Sequence, residues 1–412
     1  MVTKKSFVLE NGLRVFIYSF PELETVGVSL GIRYGSVDER PDVNGAAHFL
    51  EHMIFKGTKK RTWKDINEQV KDIGGYDNAY TDREITNYLF QIQKNYFEKG
   101  ISILSDMSMN SIIPKKEFEL ERGPIINENL IHEDNPENLF YDYMPKVLFK
   151  GHPAEMPVGG NNELTIKKIT RDHLFEIYKR YYCPKNMFLC IAGGVKIETA
   201  ERLTKKYFER YKSDFNTPQR IIFKGKNKLR NEVVKKAGIK QARIAIGFSL
   251  DPFNKKNIEE YATMIIINEL MKYRLYEEIR EKQGLSYDPY SVYQAGNTIG
   301  MISAEAGTET KNVEQVRKII TKEFEKMQYG EFEKKELEKM KKSTIIKNRI
   351  YRERSLDMAA NITSSGVIED EPDLFEEIPK IIEKINIDNA RKVAEKNIDC
   401  NKYTEVLLMP KK

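Results

Sequence analysis

The chain has 412 residues, 68 Lys and Arg against 62 Asp and Glu, a net charge of +6 and a 40% hydrophobic content. That is long enough for two domains of about 200 residues, each able to bury a full core. The charges are interspersed, as in Lys334-Lys335-Glu336-Leu337-Glu338-Lys339, which reads as a solvated helix face; no aromatic-spaced basic stripe points to nucleic acid, and no apolar run is long enough to span a bilayer.

In chain order, Ser6 to Glu10 and Leu13 to Val15 read as two strands around a turn at Asn11-Gly12. Lys4-Lys5 leads straight into them without a signal-peptide pattern. Val26 to Ile32 and Arg243 to Phe248 alternate as strands. Helical patterns cover residues near 42–57, 63–73, 95–109, 115–132, 171–182, 197–211, 257–282, 311–327 and 332–365. Gly159-Gly160-Asn161-Asn162 is a loop without a phosphate-binding pattern, and Asp251-Pro252-Phe253 is a turn. The polar, turn-rich stretch around Thr217-Pro218 places a linker at 214–220, between domains at 1–213 and 221–412. Strands bracketing helical hairpins in both halves imply an α+β fold, with two copies of one domain, each a mixed, antiparallel-rich sheet packed with helices. Cys183, Cys190 and Cys400 lack C-x-x-C spacing and fit packed thiols in a reducing, cytoplasmic setting.

The chemistry concentrates in His48-Phe49-Leu50-Glu51-His52. On a helix, residues 48, 51 and 52 lie at about 0°, 300° and 40°, so two imidazoles and a carboxylate share one face. Imidazoles four residues apart can take one Zn²⁺, and the carboxylate between them can reach a water at the metal. The surrounding Ala46, Ala47, Phe49, Leu50, Met53, Ile54 and Phe55 bury that helix. With 5 His in the chain, such a spacing arises by chance only about 0.009 times.

A catalytic zinc needs a third protein ligand and an open position. Glu121 and Glu128, seven apart and about 20° off one helical stripe, offer one carboxylate to ligate and another to orient, with Ile125 between them. His132, His152 and His173 have no partner at ligand spacing and read as ordinary structural histidines.

Tyr34 to Arg40 followed by Gly45 to Thr58 resembles the opening of the pitrilysin/insulinase metallopeptidases, most closely the half-length branch that holds the mitochondrial processing peptidase β subunit and bacterial zinc peptidases. The resemblance implies half of a clamshell, one zinc per chain, His48, His52 and Glu128 as its ligands, Glu51 as the base and Glu121 as the outer carboxylate. Gly74-Gly75 with Asn78-Ala79-Tyr80-Thr81 resembles the family's substrate-pairing edge strand, and Asn186-Met187 with Ala192-Gly193-Gly194 the end of its first domain. Arg274 to Tyr287 resembles the segment whose Arg and Tyr, here Arg280 and Tyr287, contact substrate and the developing oxyanion. Gly284 fits a helix C′ position, which would make Arg280 close a helix and Tyr287 open a strand.

The resulting expectation is a zinc endopeptidase acting on unfolded peptides or leader segments, with a peptide substrate as partner, no nucleic acid and no membrane. Full-length relatives resemble two such halves fused, so a homodimer is expected, with a heterodimer with a related half-size subunit as the variant. The alternative from another class is a non-catalytic scaffold or assembly subunit of the same fold, which lost metal ligands would favour.

Overall fold

The computed structural model describes residues 3–212, 218–225 and 227–411. The chain forms two compact units: one holds residues up to Leu130, Met156–Arg220 and Arg349–Phe375, the other Ile131–Glu155, Ile221–Asn348 and Glu376 onward. The units are therefore interleaved along the chain, whereas a boundary at 213 and 221 would make them consecutive. Of the expected linker, residues 214–217 lie outside the described residues. Its end is fixed to the first unit: buried Arg220 meets Asp38 through Nε at 2.9 Å and Nη2 at 2.7 Å and Glu84 through Nη1 at 3.2 Å.

The first unit contains a six-stranded sheet of β1 (Thr3–Val8), β2 (Arg14–Ser19), β3 (Thr25–Ile32), β4 (Tyr76–Thr81), β5 (Thr86–Gln93) and β6 (Met187–Gly193), in the order β1-β2-β6-β3-β5-β4. Only the β2–β6 pair is parallel. The second unit has β7 (Arg230–Lys236), β8 (Ala242–Leu250), β9 (Tyr290–Ala295), β10 (Gly300–Thr308) and β11 (Thr404–Pro410), in the order β7-β11-β8-β10-β9, again with one parallel pair, β7–β11. With β1 set aside, both sheets read first, last, second, fourth, third in chain order. The duplication that is faint in the sequence is explicit in topology.

Helices α1 (Ala46–Ile54), α2 (Trp63–Asp72), α3 (Phe97–Asn110) and α4 (Lys115–Asp134) begin in the first unit. Side chains of α1 and α3 such as Phe49, Met53, Ile103 and Met107 join those of β3 and β5 in one core. The opposite side of β3 is built for close contact. Gly27, Ser29 and Gly31 alternate onto it, and a Cβ on Gly27 would come 2.5 Å from the backbone of Leu356 while one on Gly31 would come 2.6 Å from Thr363 Cγ2. Helix Ser355–Ser364 lies on this glycine-lined surface, where Met358, Ala359 and Ile362 pack with Tyr18, Ile85 and Phe188. In the second unit, Ile244, Phe248 and Ile302 of the sheet pack with Ile266, Leu270, Ile320 and Phe324 of helices Ile258–Leu275 and Val313–Gln328.

The helical pattern over 332–365 is two helices, Lys334–Glu353 and Ser355–Ser364, interrupted at Arg354, and the pattern over 257–282 ends in a π-helical turn, Tyr276–Glu281. Helices Pro136–Leu148, Leu374–Lys384 and Ile387–Asn397 carry no assignment in the sequence reading. Among the described residues, no helix is long and apolar enough to cross a membrane.

Candidate metal centre

Gly45, at φ +93°, starts α1 without any side-chain cap of its own. The missing cap comes from Glu39, whose carboxylate accepts from Ala47 N at 2.6 Å, Gly45 N at 2.8 Å and Asn44 Nδ2 at 2.8 Å. Complete burial pushes Glu39 up to about 8, outweighing those three bonds. The helix is thus held at its first turn, and its apolar residues Phe49, Leu50 and Met53 are fully buried.

The exposed side of α1 presents His48 and His52. Their Nε2 atoms are 3.3 Å apart, and the rings stand at 84°. Glu128 on α4 brings Oε1 to 3.6 Å from His48 Nε2 and Oε2 to 3.4 Å from His52 Nε2. One ligand atom from each of the three falls within 4.8 Å of the others, the one such group of metal-competent residues found among the described residues. Two imidazole nitrogens facing each other beside a carboxylate is a poor arrangement for neutral rings, since at most one nitrogen can donate to the other; a cation between them satisfies all three. Protonation would do the same work: hydrogen bonds that His52 donates to the Glu121 and Glu128 carboxylates lift it to about 9 despite burial, and the two imidazoles hold Glu128 far below the carboxylate range. A divalent cation would take the place of that proton. The residues present therefore fit a three-ligand metal site.

His52 is oriented from behind. Its Nδ1 lies 3.0 Å from Glu121 Oε1, and Lys56 Nζ lies 2.6 Å from Glu121 Oε2. A carboxylate on Nδ1 fixes the tautomer that leaves Nε2 free to ligate. His48 has no such support among the described residues: its Nδ1 is buried without a hydrogen-bond partner there. Ile125, between the two glutamates on α4, is fully buried, as the shared stripe requires.

Glu51 is 8% exposed and accepts a 2.6 Å hydrogen bond from Thr81 Oγ1. Burial raises its pKa above the ordinary carboxylate value, against the pull of His48 and of the Thr81 bond. Thr81 lies on β4, an end strand of its sheet, which among the described residues pairs only with β5. Residues of β4 alternate in direction, so Ala79 shares Thr81's face, towards α1, while Asn78 and Tyr80 point the other way. Asn78 donates to Tyr76 Oη at 3.0 Å, and Tyr80 Oη meets Ser364 Oγ at 2.9 Å. All four border a pocket of about 540 Å³ that also holds His48, Glu51, His52, Glu121 and Glu128.

The loop Gly159-Gly160-Asn161-Asn162 links α1 and α4, the helices that carry His48, His52 and Glu128. Asn44 Nδ2 donates to Pro157 O at 3.0 Å at the start of α1, while Asn129, next to Glu128, donates to Gly159 O at 3.0 Å and Asn162 Oδ1 at 2.9 Å. Gly160 has φ +74°, and a Cβ there would meet Asn44 O at 2.4 Å, so both the backbone angle and the close approach demand glycine. In the sequence this loop stands out as a turn, while nothing local marks Glu39 or gives either a task. The Gly-Gly pair followed by two Asn was the available signal.

Arg280 and Tyr287 belong to the second unit and come together there. Arg280 Nη1 donates to Tyr287 O at 2.9 Å, and its guanidinium lies 4.3 Å from the Tyr287 ring centroid. Gly284, at φ +59°, ends the helical segment as expected, with its N–H bonded to Arg280 O at 3.0 Å. Tyr287 does not open a strand: it sits in a bend before β9, with 78% of its surface exposed. The polypeptide leaving the αL glycine needs several residues to turn before it can join the β10 ladder.

Residues 14–162 match the insulinase family, peptidase family M16, and residues 168–344 match the region described as the peptidase M16 inactive domain. An uncharacterized zinc protease of Rickettsia felis is 33% identical over 327 residues, covering 77% of this chain and 77% of that protein. A probable mitochondrial-processing peptidase subunit beta of Arabidopsis thaliana is 35% identical over 214 residues, 52% of this chain and 40% of that one. Among solved structures, a protease from Helicobacter pylori superposes with a TM-score of 0.92 at 24% identity, with all of both chains covered, so the fold is shared throughout. The chain belongs to the insulinase family of peptidases, M16.

Proposed function

We propose that this protein is a zinc-dependent endopeptidase that hydrolyses unfolded peptides or leader segments. The observation that carries the reading is the convergence of His48, His52 and Glu128 with buried Glu51 beside them in one open pocket. One zinc per chain would be held by those three side chains and would supply Lewis acidity to a carbonyl and to a water. Glu51 takes the proton of the attacking water and passes it to the leaving amine, a task suited to a carboxylate whose pKa is raised by burial. Thr81 keeps Glu51 aimed, and Glu121 keeps His52 in its ligating tautomer. A peptide adds as a strand to the edge at Asn78-Ala79-Tyr80-Thr81, where backbone pairing supplies affinity. Three cysteines, none in a disulfide, support a cytoplasmic setting. Purified protein should contain about one zinc per chain and cut unstructured peptides internally, as read by elemental analysis and mass spectrometry; a metal-free protein that cuts nothing on zinc addition would overturn the reading in favour of a scaffold.

Arg280 and Tyr287 are proposed to steady the substrate and its developing oxyanion from a second protomer, so that the working unit is a homodimer. The exposure of Tyr287 supports this, since the ring is available to a partner. The word "subunit" in the name of the Arabidopsis relative supports the variant, a heterodimer with a related half-size chain. Subunit exchange between Glu51→Gln protein and Arg280→Ala/Tyr287→Phe protein, each inactive alone, should restore one intact site per mixed dimer. Verified mixed dimers without any recovered activity would place the whole site within one chain.

A further inference from the structure

The excess charge of the chain sits in one place. Residues 224–240 hold seven of its 68 Lys and Arg but only one of its 62 Asp and Glu, so the remainder carries equal numbers of both signs and the net +6 belongs to this stretch. Its centre is β7, and Lys224, Lys228, Lys235 and Lys240 along it are exposed. Among the described residues, none of these four lysines has an ion pair.

β7 is also an open edge. Among the described residues it pairs with β11 alone, at the end of its sheet. Arg230 N–H donates to Tyr403 O and Lys236 O accepts from Lys411 N–H, so the even-numbered residues of β7 turn their backbone groups to β11. The N–H and C=O groups of Asn231, Val233 and Lys235 consequently face outward, where no strand among the described residues receives them. The side chains of Arg230 and Lys236 reach Val147 O and Glu133 O, which leaves those of Val233 and Lys235 on the opposite face. In the other sheet the corresponding edge is closed: β2 holds the place that β7 holds here, and β1 covers it in antiparallel register from Thr3–Ser19 to Val8–Arg14. The second unit repeats the first short of that one strand. Charge and edge together name what would fill the place. Lysines on an edge repel most strands, but a strand bearing carboxylates gains charge pairs along with backbone bonds. Repulsion alone does not account for Val233, an apolar side chain 55% exposed between Asn231 and Lys235. A second copy of the chain is a poor fit, because its own outermost strand, β1, brings Lys4 and Lys5.

We propose that the open edge of β7 is an interaction surface that takes up an extended, acidic segment of a partner protein as a further antiparallel strand. The test uses the full chain with Glu51→Gln, so that peptide probes survive whether or not the parent cleaves them, and short fluorescent peptides alternating Val with Glu or Val with Lys. The Glu peptide should bind about tenfold or more tightly than the Lys peptide, and the gap should narrow as salt screens exposed charge. Val233→Pro deletes one outward N–H while leaving the bonds to β11 in place, and should weaken the Glu peptide by about tenfold, the scale of one or two backbone hydrogen bonds. A Glu peptide N-methylated throughout should lose as much against the unaltered edge. Lys228→Glu/Lys235→Glu should reverse the preference, and far-ultraviolet dichroism confirms that each variant is folded. Equal binding of the two peptides, no binding of either, or Glu-peptide binding that ignores both sets of substitutions would overturn the proposal. So would charge-dependent binding that N-methylation and Val233→Pro leave intact, accompanied by capture of phosphatidylglycerol vesicles or a single-stranded oligonucleotide, since the patch would then recognise anions without strand pairing.

Discussion

Glu51→Gln protein should hold zinc as the parent does and hydrolyse peptides about 10²–10⁴-fold more slowly, the contribution of a positioned general base. The amide fills the same space at a site that is 8% exposed, and its oxygen can still accept from Thr81 Oγ1, so the α1 geometry survives. What it lacks is a carboxylate oxygen basic enough to take the water's proton. Both imidazoles and Glu128 remain untouched, so metal content measured on the same sample separates loss of the base from loss of the centre. Near-parental turnover in a zinc-replete Glu51→Gln sample would remove Glu51 from the mechanism.

Loss of a ligand should act on the metal itself. His48→Ala, His52→Ala or Glu128→Gln should weaken zinc binding far more than Glu121→Gln, because the first three each delete a coordinate bond while the last disturbs a ligand's support, typically worth about 10–100-fold. Glu121→Gln retains an oxygen that can still accept from His52 Nδ1, but it discharges the pair with Lys56. Competition against a chromophoric chelator ranks the four variants directly. Stoichiometric zinc that resists the chelator in Glu128→Gln protein would reject Glu128 as a ligand.

The parts of this site that could be read from sequence are those whose geometry is local. His48, Glu51 and His52 are joined by one turn of helix, and Glu121, Ile125 and Glu128 by two, so period alone places them on common faces, and Ile125 is buried as that placement requires. The glycines at 12 and 284 likewise mark a hairpin turn and a helix end, each at positive φ. Contacts across sequence were not legible. Nothing in the run from Glu39 to Ala47 announces that a carboxylate will cap a helix beginning seven residues later, and nothing near Asn129 announces Gly159 as its partner. Tyr287 failed for a related reason, since a strand begins where its neighbour in the ladder begins, which periodicity does not record. The same applies to residues 349–365, whose helical pattern is visible while the sheet they join lies more than 150 residues upstream.

That last contact has a consequence for how the protein is made. The glycine-lined side of β3 receives helix Ser355–Ser364, yet the ribosome must translate the whole of 221–348 before that helix exists. At about 5–20 residues per second, the first unit therefore spends several seconds or more with an apolar side of its sheet uncovered. Nascent chains in that state expose sticky surface, and a break anywhere between the two segments would release a first unit that is never lidded. Interleaving thus gives quality control a single late checkpoint: the unit that carries His48, His52 and Glu128 is finished only in chains that have already produced most of its companion.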